Sequence, residues 1–101
     1  MYVILLKYIK PLEEVDTLLA AHIEFLDTQY KKGIFIASGA QIPRTGGVIL
    51  AAGLDIAALN DILKQDPFSM AKVAEYEIIE FSPSRMAEGF KQFAVPKNPS
   101  I

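Results

Sequence analysis

Cysteine is absent from the chain, histidine occurs once, and charge of neither sign is in large excess. Without cysteine there is no disulfide, no thiol nucleophile and no thiolate metal ligand, which is compatible with a reducing compartment. A lone histidine without cysteine also argues against a transition-metal site, so neither metal nor cofactor is expected. Ten basic against twelve acidic side chains leave a net charge of −2. A nucleic-acid binder needs a concentrated basic face, and none is present. No apolar run approaches the ~20 residues that span a bilayer. The opening Met1–Lys7 stretch lacks the basic start, long apolar run and cleavage site of a secretory signal. The expectation is a soluble, cytoplasmic protein with no nucleic-acid or membrane partner.

What is present is a globular balance, with 51% hydrophobic and 22% charged residues in 101 positions, enough for one domain. Tyr2 to Tyr8 is β-branched, aromatic and almost continuously apolar, as a central strand buried on both sides would be. Residues 13–32 carry Val15, Leu18, Leu19, His22, Ile23, Leu26 and Tyr30 at three- and four-residue steps. That spacing predicts a helix, begun by Glu13, Glu14 and Asp16 and stopped at Gly33. Residues 34–41 and 48–52 read as a strand pair around the turn Pro43-Arg44-Thr45-Gly46-Gly47. Asp55 is placed to cap a second helix over 56–65. A short helical turn at 69–72 precedes a strand over 73–81, whose alternation is that of a half-exposed edge. Residues 1–83 form the expected domain. Residues 84–101 form a short helix or arm and a tail.

The order β-α-β-β-α-β predicts an α+β, ferredoxin-like fold with a four-stranded antiparallel sheet. Two helices cover one face of such a sheet. Yet both faces are apolar, with Tyr2, Ile4 and Leu6 on one side of the first strand and Val3 and Leu5 on the other. At ~25 cal/mol per Å² of apolar burial, leaving one face in water forfeits several kcal/mol, so a homodimer packed sheet to sheet is expected.

Four residues are candidates for chemistry. His22 lies on or beside the apolar stripe of the first helix. It is either a core histidine satisfied by one partner or a general acid–base group. Asp66, before Pro67 and at the expected end of the second helix, is a turn residue or a partner that orients His22. Arg44 is a solvated loop residue or an anion clamp. Ser38 satisfies local backbone or presents a site hydroxyl. There is neither a phosphate-binding loop nor a nucleophile elbow.

Taken together, several segments resemble the YciI-like (YCII-related) family. They are Tyr2-Val3-Ile4-Leu5-Leu6, Ala21-His22-Ile23-Glu24-Phe25-Leu26, Ile36-Ala37-Ser38-Gly39, Arg44-Thr45-Gly46-Gly47 and Gln65-Asp66-Pro67-Phe68. The resemblance spans residues 1 to about 82. It implies a dimeric α+β barrel and a cleft with a histidine–aspartate pair, here His22 and Asp66. It also implies substrate-binding roles for Ser38 and Arg44. A few relatives resemble dehydrochlorinases or isomerases of hydroxylated ring compounds and lactones. The family thus implies proton-transfer chemistry on a small acidic or hydroxylated ring, with a small anionic ligand as partner. The alternative is a non-catalytic small-molecule-binding or accessory module.

Overall fold

The computed structural model describes residues 1–93. The chain runs β1 (Tyr2–Tyr8), α1 (Leu12–Thr17), α2 (Leu19–Lys31), β2 (Phe35–Ala40), β3 (Gly46–Ala51), α3 (Ile56–Leu63), α4 (Pro67–Met70) and β4 (Ala74–Glu80), followed by a 3₁₀ turn at Glu88–Phe93. The expected tail beyond that turn lies outside the described residues. The four strands form one antiparallel sheet in the order β2-β3-β1-β4. This is the α+β, ferredoxin-like arrangement that the element order predicts. No helix among the described residues is long and apolar enough to cross a membrane.

The helices pack on the face that carries Tyr2, Ile4 and Leu6 of β1, Ile49 and Ala51 of β3, and Phe35 of β2, all buried. Val15, Leu59, Leu63 and Phe68 complete that core from the helical layer. Val3, Leu5, Val48 and Leu50 lie on the opposite face, paired across β1 and β3, and remain partly exposed. Ile79, opposite Val3, is 45% exposed. The centre of the second face is therefore apolar, bordered by Lys7, Glu75 and Glu77, and these apolar residues are left partly exposed among the described residues.

Three local departures from the expected pattern shape the site. The first helix is not continuous over 13–32 but breaks at Leu18, whose backbone (φ −105°, ψ −2°) is displaced from regular helical values. Thr17 Oγ1 donates to the Glu14 carbonyl at 2.7 Å, a back-bond that bends helices. The buried face of α2 is consequently His22, Phe25 and Gln29, while Leu19 and Ile23 stay exposed. The second departure is a bulge in β2. Phe35 pairs with Ala51 and Ala37 with Leu50, so Ile36 is an extra residue. An extra residue reverses the facing of everything after it. Ser38 thereby joins the helical face, where simple alternation would turn it away. The third is Gly46, expected in the turn but already within β3. A Cβ there would overlap the Leu6 carbonyl oxygen of β1, so only glycine permits this close strand approach.

The C-terminus of α2 follows the expectation. Gly33 adopts φ 73°. Its N–H donates to the Tyr30 carbonyl and the N–H of Ile34 to that of Gln29, both at 3.0 Å, closing the last turn in a Schellman arrangement.

Candidate active site

Asp66 stands at the start of α4 and not merely at the end of the preceding helix. It caps α4: its Oδ1 accepts the Phe68 N–H at 3.0 Å. The expected conflict with a helix dipole is thereby removed, because a carboxylate is favoured at a helix N-terminus. Pro67 follows at the first helical position, where its missing N–H costs nothing.

Capping fixes the carboxylate where two further donors reach it. His22 Nδ1 lies 2.8 Å from Oδ1, and the Tyr76 hydroxyl donates to Oδ2 at 2.6 Å. Asp66 is 0% exposed and His22 8%. A buried carboxylate must be matched by donors, and three converge here from α2, α4 and β4. The carboxylate only accepts, so Nδ1 of the neutral imidazole carries the proton and Nε2 carries the lone pair. Phe68 lies flat on the imidazole, with ring centroids 3.9 Å apart and planes within 7°. The residue that donates to Asp66 through its backbone therefore also clamps His22 through its side chain.

Tyr76 was not among the sequence candidates. In a half-exposed strand it reads as one more inward residue, and only the need of a buried phenol for a partner hints at more. Burial, then the Asp66 charge and the hydrogen bond to it, push the phenol well above its ordinary value. A raised phenol contributes stability that is complete below its unfolded value near 10 and is lost as pH rises past it. Tyr76→Phe is expected to cost about 1–3 kcal/mol at neutral pH by leaving Oδ2 without a donor. It should also flatten the loss of stability above about pH 10. Urea titrations of both proteins at pH 7 and pH 10.5 check both effects; equal alkaline slopes would exclude the coupling.

His22 lines a cavity of about 340 Å³ between α2 and the sheet, within the ~300–1,000 Å³ range of small-molecule sites. Its walls are mostly apolar: Leu19, Ile23 and Leu26 from α2, and Leu6 and Ile49 from the sheet. The α2 side chains that break the buried stripe therefore face the cavity. Ser38 and Arg44 also line it. Ser38 Oγ lies 2.6 Å from the Tyr30 hydroxyl. Arg44 Nη2 donates to Asp16 Oδ1 at 2.5 Å, and its guanidinium sits 5.9 Å from the Tyr8 ring centroid. The Asp16 hydrogen bond and charge hold the guanidinium even further above its ordinary value. All four sequence candidates thus meet at one cavity, Asp66 from behind His22. A larger hollow of about 820 Å³ on the open face borders Lys7, Glu75 and Glu77, but has no histidine. No group of three or more His, Asp or Glu among the described residues is placed to hold a metal ion.

The YCII-related domain family matches residues 1–82. The chain belongs to that family. No curated protein matches it significantly. Among solved structures, it is similar to 5-chloro-2-hydroxyhydroquinone dehydrochlorinase from Burkholderia phenoliruptrix, determined with 2,5-dihydroxybenzoquinone. The two share 16% identity and a TM-score of 0.67, over 80% of this chain and 93% of that one. At that identity the likeness is one of fold.

Proposed function

We propose that this YCII-related protein is a cofactor-independent enzyme in which His22 moves a proton on a small hydroxylated ring compound. The observation that carries the reading is the His22–Asp66 pair at 2.8 Å, with His22 on the wall of the cavity. Asp66 fixes the tautomer that leaves a lone pair on Nε2. Phe68 fixes the plane of the ring. A general base needs both its protonation state and its orientation set before the substrate arrives. The apolar walls suit a ring, while Ser38 and Arg44 supply polar contacts for an oxygen on which negative charge develops. The relative of similar fold acts on a chlorinated hydroxyhydroquinone, a compound of this size and kind. In such a reaction Nε2 takes a ring hydroxyl proton and the ring carbon that bears chlorine is protonated. Loss of a second hydroxyl proton then expels chloride with the C–Cl electron pair, so the net loss is one H⁺ and one Cl⁻ and no oxidant is needed. An isomerase would return the proton to a different atom.

The test is incubation with 5-chloro-2-hydroxyhydroquinone and with non-halogenated hydroxylated rings and lactones. Chloride release and absorbance report elimination, and proton exchange into substrate from deuterated solvent reports isomerase-type chemistry. Absence of both across the set would overturn the enzymatic reading.

The protein is further proposed to act as a cytoplasmic homodimer, its open sheet faces packed together as in a dimeric α+β barrel. Val3, Leu5, Val48, Leu50 and Ile79 support this, since they are neighbouring apolar side chains that stay partly exposed among the described residues. Leu5→Glu, at the centre of that face, should convert the dimer to a monomer in sedimentation velocity while the fold persists. A wild-type protein that sediments as a monomer would exclude the arrangement.

A further inference from the structure

Among the described residues, Arg44 is the only arginine or lysine lining the cavity of His22. Its charge is already answered. Asp16 of α1, which does not line the cavity, accepts from Nη2 at 2.5 Å. The pair joins the β2–β3 loop to α1 beside the α1–α2 break, with side chains 35% and 50% exposed. The loop backbone is pinned independently: the Tyr8 N–H donates to the Thr45 carbonyl at 3.0 Å and the Gln41 N–H to that of Gly46 at 2.9 Å. The Arg44 side chain is therefore the part free to exchange partners. Behind His22 stands the Asp66 carboxylate, which accepts from an imidazole, a phenol and a backbone N–H. An anion entering the cavity thus meets no surplus of positive charge.

We infer that Asp16 is an internal competitor for Arg44, which makes the cavity select neutral ring compounds over carboxylates of the same size. A ligand carboxylate would have to replace Asp16 like for like. A tethered group holds its partner as though present at millimolar concentration or above, so a weak anion loses the exchange. A neutral phenol needs no such exchange and enters with the Asp16–Arg44 contact intact. The inference rests on the proposed use of the cavity for small ligands, not on the proton transfer at His22.

Benzoate and benzyl alcohol, titrated by NMR into the wild-type protein, Asp16→Asn and Asp16→Asn/Arg44→Gln, test it. Asp16→Asn should raise benzoate affinity about five-fold, the scale of an exposed ion pair, and leave benzyl alcohol unchanged. The gain should vanish in the double variant. The inference is overturned if Asp16→Asn leaves benzoate binding unchanged or undetectable, if the gain survives loss of Arg44, or if benzyl alcohol gains equally. Because the readout is binding with His22 and Asp66 intact, failure here is distinct from failure to find turnover.

Discussion

Asp66→Ala should destabilise the fold by about 3–5 kcal/mol, the range for removing one partner from a buried charged network. The carboxylate is 0% exposed and accepts from His22, Phe68 and Tyr76. Alanine leaves all three donors facing a buried void. Each orphaned buried donor costs roughly 1–3 kcal/mol, partly offset because a charge no longer has to be buried. A domain of this size has only about 5–15 kcal/mol in total, so the urea midpoint should fall by a large fraction. Asp66→Asn separates lost donors from lost shape. Its carbonyl oxygen can keep the Phe68 and His22 bonds, and the Tyr76 hydroxyl can turn to accept from the amide. Its cost should be less than half that of alanine. A midpoint for Asp66→Ala within 1 kcal/mol of wild type, on the ~0.5–3 kcal/mol scale of ordinary substitutions, would mean that the network is not holding the helical layer together.

The same residue shows what was readable in advance. The strands, their order, the Asp55 cap and the Gly33 stop follow from local chemistry, because alternation, capping and positive φ act over a few residues. Asp55 Oδ1 does accept the Ala58 N–H, at 2.8 Å. His22 stood out as a polar group on an apolar stripe. Its pairing with Asp66 is a contact across 44 residues, and the two are joined by packing that no local pattern encodes. The family resemblance supplied that pair; periodicity did not. Asp66 itself reads from the sequence as the end of one helix although it begins the next, since four residues of α4 are too few to show a helical period. The facing of Ser38 was illegible for a different reason. Strand parity is readable only while the ladder is regular, and the extra residue at Ile36 reverses it. Tyr76 and Asp16 were invisible as partners because one looks like an ordinary strand residue and the other like an ordinary helix-start carboxylate. Both become part of the site through contacts made from separate elements.

His22→Gln should lower turnover of any substrate found by about 10²–10⁴-fold, the contribution of a positioned acid–base group, with a much smaller change in ligand affinity. Glutamine has nearly the reach of histidine and can still donate its amide N–H to Asp66, so the carboxylate keeps three donors. It cannot titrate, and its carbonyl oxygen is too weak a base to carry a proton. Stability should fall by roughly 1 kcal/mol or somewhat more, chiefly from the lost ring stack on Phe68. Other accounts of the site predict different patterns. In a binding module, ligand affinity survives and the wild-type protein forms no product either. If the pair serves only stability, glutamine lowers the midpoint while turnover per folded molecule stays within a factor of two. Measuring kcat, ligand Kd and the urea midpoint on one preparation separates all three. A variant that keeps kcat near wild type would remove His22 from the chemistry, whatever the distance to Asp66.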